Sequence, residues 1–284
     1  MTGTNQNVRA VQQTRRRAMI VPREHGAWGL LLVPLFTGVV AGFSPEHRVW
    51  ALFLFTTAAL SLFALRTPLE SLLGTSAISA RTSGECWTAL IASTTFGLLA
   101  LACLSMLIWN WHYSALLLLG AVGACAFVMQ AVLRRLGRHT RMISQVVGAI
   151  ALTSTAPAAY YVGTGRLDTR ALLLWIANWI FAGDQIHFVQ LRIHTARAAS
   201  CREKLARGRA FLGAQLLLLI ALVMASLGHI LPTYAILAFV PALVRGSRWF
   251  FQKPEPLDVK RLGWSEMKQG VAFGVLLAVA FLAC

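Results

Sequence analysis

The chain has 284 residues, 57% of them hydrophobic and only 13% charged, where a water-soluble domain carries about 25% charged residues. With a mean hydropathy of +0.64, this composition excludes a soluble globular enzyme and indicates a multipass membrane protein. The formal net charge of +16 does not point to nucleic acid, because the Lys and Arg residues lie in short clusters between apolar runs and not on one solvated stripe.

In chain order, residues 1–21 read as a basic cytoplasmic tail and 22–284 as a single transmembrane helical domain. Arg15, Arg16 and Arg17 invite a twin-arginine signal, but the next apolar run begins only after Pro22-Arg23-Glu24-His25 and has no small-residue cleavage site. That run therefore reads as a retained first span. Apolar runs follow at 26–42, 49–65, 87–108, 113–133, 142–162, 172–191, 211–228, 230–244 and 270–283. A crossing helix needs about 17 to 25 residues, so the last two are short and eight spans is the fallback to nine.

Charge offers an independent test that supports nine. With nine spans and the N-terminus inside, all of the 26 basic residues except Arg48, Arg166 and Arg170 fall on the cytoplasmic side. This is a strong positive-inside bias, and a miscounted span would scramble it. Trp50, Trp109 and Trp111 then mark the outer boundary and Trp87 the inner one, as an aromatic belt requires. The five cysteines show no C-x-x-C pair and read as small core residues without a disulfide framework. The expected fold is thus an all-α polytopic bundle of about nine transmembrane helices, N-in and C-out. The small, polar run Thr153-Ser154-Thr155-Ala156-Pro157 within the fifth span reads as a site of close helix packing.

Ionisable residues at the spans are the functional candidates, since burying charge in hydrocarbon is costly. Glu24 and His25 open the first span, Arg66 and Glu70 close the second, and Asp184 and His187 lie in the last turns of the sixth. Asp184 sits roughly 10 Å inside the end of its helix at 1.5 Å per residue. Asn178, Gln185 and Arg192 share the opposite face of that helix, so it is polar on two sides and interior to the bundle. These residues describe a cytoplasm-facing pocket with Asp184, Glu24, His25, His187 and Glu70 as acid–base groups. Arg23, Trp28, Arg66, Asn178, Gln185 and Arg192 would contact a ligand. The competing reading is a structural ion-pair network that fixes helix register. His25, His187 and His194 lack H-x-x-x-H spacing, so no metal site is assigned.

The stretch Pro22-Arg23-Glu24-His25-Gly26-Ala27-Trp28-Gly29, running on to Pro34, resembles the signature of the YwiC-like family of bacterial multipass membrane proteins. Arg66-Thr67-Pro68, Val189-Gln190-Leu191-Arg192 and Gly263-Trp264-Ser265-Glu266 extend the resemblance along nearly the whole chain. More loosely, the layout is similar to the UbiA prenyltransferase superfamily, in which two aspartate-rich motifs hold magnesium and a prenyl diphosphate. That resemblance implies a UbiA-like transferase with degenerate motifs, since only Asp184 and Glu70 stand where several aspartates would be expected. Magnesium demands near-octahedral oxygen coordination and is short of ligands here, so no cofactor is assigned. The basic residues would hold an anion directly.

The expected partner is therefore a membrane lipid, of isoprenoid or quinone type or another anionic amphiphile, in the bacterial inner membrane. The alternative is a proton-coupled transporter or a respiratory-assembly membrane factor with a relay through Glu24, His25, Asp184 and His187.

Overall fold

The computed structural model describes residue 15 and residues 25–43, 48–74, 79–196, 200–253 and 256–283. Its regular structure is helical, with no strand among the described residues. The helices are α1 (His25–Ala41), α2 (Val49–Leu72), α3 (Ser83–Trp111), α4 (Ala115–Arg135), α5 (Arg141–Thr153), α6 (Thr155–Thr164), α7 (Thr169–His194), α8 (Cys201–Leu227), α9 (Ala235–Phe251) and α10 (Val259–Leu282).

Each of the nine expected spans coincides with a helix, α5 and α6 together forming the fifth. Seven are long and apolar enough to cross a membrane, among them the combined rod Arg141–Thr164. The other two, α1 and α9, have 17 residues each, and α9 carries Arg245 and Arg248 in its last turns. The final span differs most from its reading: the helix begins at Val259, eleven residues before the apolar run, because Asp258 caps it by accepting from the Lys260 and Arg261 N–H groups. Leu216, Leu217, Ile220, Val223 and Met224 of α8 are exposed, an apolar face suited to hydrocarbon and not to water.

The helices pack as two compact units. One contains α2 and α3. Thr82 caps α3 in a capping box: its hydroxyl accepts from the Glu85 N–H at 3.3 Å while the Glu85 carboxylate accepts from the Thr82 N–H at 3.3 Å. Arg15 adds an ion pair to Glu85 at 2.8 Å. Thr82→Ala is expected to destabilise this unit by about 1 kcal/mol, to be read from thermal unfolding of the detergent-purified protein.

The second unit holds α1 from Trp28 onward and α4 to α10. Here α1 and α6 meet backbone to backbone. A Cβ built on Gly38 would press on the Ala156 backbone, one on Gly42 would lie 2.8 Å from Tyr160 Cα, and one on Gly163 would press on the Gly42 backbone. Small residues permit this approach. At the α5–α6 junction, Thr153, Ser154 and Thr155 donate to the carbonyls of Ala149, Ala151 and Leu152 at 2.7, 2.8 and 2.7 Å. Their hydroxyls are thereby bonded back to the preceding turn, where one helix gives way to the next just ahead of Pro157. The small polar run is thus a close-packing segment.

The core of this unit lies between α7, α9 and α10. Phe181 stacks on Phe273 with centroids 3.9 Å apart, and Phe239 meets Phe273 edge-on at 5.1 Å, the latter a geometry that aromatic quadrupoles favour. A second cluster of Phe188, Leu191, Phe211, Trp249, Phe250 and Leu262 lies toward the end where α7 and α9 finish and α8 and α10 begin. The polar groups gather at this end.

Candidate functional site

Four helices contribute to an ion-pair cluster in the second unit. Arg245 of α9 donates to Asp184 Oδ2 of α7 at 2.9 Å and also to Glu266 Oε2 of α10. Gln215 of α8 donates to Asp184 Oδ1. Gln185 Nε2 donates to the Glu266 carbonyl at 2.9 Å. The guanidinium also lies over the Phe188 ring, 4.2 Å from its centroid, a cation–π contact that helps to replace lost hydration. Side-chain exposures are 9% for Arg245, 6% for Asp184 and 11% for Glu266, so these charges are removed from solvent and stand only because they are paired.

The α8 face that reaches this cluster is specified by close contacts. Gly246 admits the Phe211 ring, and Gly208 admits the Phe250 ring, whose Cζ would lie 2.5 Å from an added Cβ. Both glycines thus let α8 and α9 approach closely.

Nearer the helix ends lies a cleft of about 40 Å³, lined by Arg192, Thr195, Lys204, Trp249, Gln252 and Lys253 among others. A water needs roughly 10–15 Å³ on this measure, so the cleft suits a compact head such as a phosphoryl or carboxylate group and is too small for a hydrocarbon tail. Lys204 is 3% exposed and donates to the Trp249 and Gln252 carbonyls, both at 2.8 Å. Its ammonium therefore caps the C-terminus of α9 and complements the helix dipole. Lys204 Nζ lies 4.2 Å and Arg192 Cζ 5.6 Å from the Trp249 ring centroid. Arg192 and Lys204 thus flank Trp249, and Lys253 lines the same small concavity.

The residues singled out from the sequence are distributed as follows. Asp184 and Gln185 belong to the ion-pair cluster, and Arg192 lines the cleft. Asn178 is buried on the α1 side of α7, where its amide donates to Thr37 Oγ1 at 3.0 Å and to the Leu174 carbonyl at 2.8 Å. His187 faces the Phe211 ring edge-on at 5.1 Å. Trp28 is half-buried in α1. Arg66 and Glu70 form an i,i+4 ion pair at 2.9 Å on α2, in the other unit. Arg23 and Glu24 lie outside the described residues; His25 is the first residue of α1, its side chain outside the description.

Sequence reasoning missed Arg245, Glu266 and Gln215 of the cluster and Lys204, Trp249 and Lys253 of the cleft. One signal was present: Glu266 closes the Gly263-Trp264-Ser265-Glu266 segment and is an acid among basic neighbours. Magnesium finds a poor fit, because Asp184 and Glu266 are both bonded to Arg245 and no three His, Cys, Asp or Glu side chains converge among the described residues.

Comparison with known proteins adds the lineage. The family described as YwiC-like protein matches residues 21–160. The chain is 25% identical over 256 residues to the uncharacterized protein YwiC of Bacillus subtilis (strain 168), covering 89% of this chain and 95% of that protein. No solved structure matches. Over residues 21–160 the chain thus matches the YwiC-like family, and along nearly its whole length it is similar to YwiC.

Proposed function

We propose that the protein binds the anionic head of an amphiphilic lipid, of isoprenoid, quinone-related or similar class, in the cleft at the ends of α7 to α10. The observation that carries this reading is a concavity the size of a headgroup in which Arg192 and Lys204 flank Trp249 and Lys253 forms part of the lining. Guanidinium and ammonium groups supply charge-assisted hydrogen bonds to such a head without a metal. The tail would lie in the bilayer along the apolar helix faces, since the cleft has no room for it.

The segregation of basic residues supports nine spans with the N-terminus inside, which puts the cleft at the cytoplasmic leaflet of a bacterial inner membrane. UbiA-like transfer chemistry would require carboxylates available for metal, and the pairing of Asp184 and Glu266 with Arg245 favours binding over catalysis.

The test is a titration of the protein in nanodiscs with a fluorescent isoprenyl monophosphate. Arg192→Gln and Lys253→Gln are each expected to weaken binding about tenfold, the loss of one charge-assisted contact. Unchanged affinity in both variants would contradict the reading.

A further inference from the structure

Donors serve Asp184 and Glu266 unequally. Arg245 donates to Asp184 Oδ2 and to Glu266 Oε2, and Gln215 donates to Asp184 Oδ1. Both oxygens of Asp184 are therefore served. Among the described residues, Glu266 Oε1 and Gln215 Oε1 are buried and accept from no donor, and Arg245 Nε is a buried donor without an acceptor. Gln215 is only 7% exposed, so its amide is directed at the cluster and not at bulk water. Asp184 lies ten residues before the end of α7 and Glu266 seven after the start of α10, about 10–15 Å inside the helix ends at 1.5 Å per residue.

The bonded set holds two carboxylates and one guanidinium, an excess of one negative charge when all are ionised. The groups packed around it leave that excess in place. From α7, Arg192 acts on Glu266 less than the like-charged Asp184 does, and His187 faces the Phe211 ring. From α8 the neighbour is the neutral Gln215, and from α9 it is Arg245 itself. Where α1 meets α10, at Gly270, it offers the uncharged Val33.

We infer that Asp184 and Glu266 form a proton-binding site within the membrane-spanning helices, which holds one proton on Glu266 Oε1 and exchanges it with water at the helix ends. The inference goes beyond headgroup binding and does not depend on it. Two carboxylates that share one buried site do not both ionise freely, and an unpaired buried charge costs more than its neutral form. Proton uptake forms one O–H bond, makes the bonded set neutral and turns an acceptor without a donor into a donor. The proton is counted for the pair; its place on Glu266 follows from the unserved oxygen, since Asp184 has a donor on each of its own. Ionisable residues at such depth in a span mark functional sites by default, and proton exchange is the chemistry that these side chains support.

The test is infrared spectroscopy of the whole protein in dodecyl maltoside, a detergent without a carbonyl group, titrated from about pH 5 to pH 9. The site predicts a carboxylic-acid C=O band that persists above about pH 6, where solvated Asp and Glu are ionised, and fades as the pH rises further. Glu266→Gln should abolish it. Asp184→Asn removes the like charge and should weaken proton binding at least about tenfold, so the band then fades at lower pH. Labelling glutamate carboxyls with carbon-13 keeps the test decisive if a variant fails to fold, because the wild-type band must shift with the label. The site is overturned by a wild type with no band above about pH 6, by a band that the label leaves unmoved, or by one that Glu266→Gln or Asp184→Asn leaves unchanged.

Discussion

Replacing Arg245 with methionine is expected to lower stability by about 3–5 kcal/mol, the cost of breaking a buried ion pair by removing one partner. Arg245 is 9% exposed and serves two carboxylates on different helices, so its loss leaves Asp184 and Glu266 facing each other without a cation. Four helices are tied at this point, because Gln215 of α8 also bonds to Asp184. The effect should be visible as a lowered thermal midpoint in detergent. Combining Arg245→Met with Asp184→Asn and Glu266→Gln removes the uncompensated charge and should recover most of the loss, since buried ionic clusters are often replaceable by neutral groups of similar volume. A triple variant no more stable than Arg245→Met would show that packing around the guanidinium, and not its charge, is what matters.

Gly38→Ala is expected to cost about 3 kcal/mol, the upper part of the usual range for overpacking. The added methyl would meet the Ala156 carbonyl oxygen, with Ala156 Cα and C at 2.9 Å. Backbone cannot swing away as a long side chain can, so α1 and α6 must separate. Gly163→Ala should behave similarly through the Gly42 backbone, and the double variant should cost less than the sum, because both open the same interface. Gly183→Ala provides the contrast. Nothing lies within 4 Å of a Cβ at Gly183, so the change should be neutral or stabilising by up to about 1 kcal/mol from helix propensity.

Much of the fold was legible because hydrocarbon imposes a simple demand: long apolar runs with backbone groups satisfied internally. The segment 259–269 was the exception. Its Lys260, Arg261, Glu266 and Lys268 read as a loop by hydropathy, and the cap at Asp258, the burial of Leu262 and the pairing of Glu266 with Arg245 make it helical and partly buried. The same segment explains the missing half of the candidate site. Asp184 and Arg192 stood out as charges on an apolar helix, a local property. Arg245 and Glu266 were assigned to a cytoplasmic connection, and their bond to Asp184 depends on which faces of α7, α9 and α10 meet. Lys204 was similarly hidden, since a lysine in a basic cluster ordinarily stays solvated and here it caps α9.

The most direct test of headgroup binding is native mass spectrometry of the protein reconstituted with equal amounts of phosphatidylglycerol and phosphatidylcholine. Binding in the Arg192–Lys204–Lys253 cleft predicts one anionic lipid retained per wild-type chain, and its loss in the Arg192→Gln, Lys253→Gln double variant. Equal retention of the two lipids, or retention of phosphatidylglycerol unchanged by the double substitution, would contradict it.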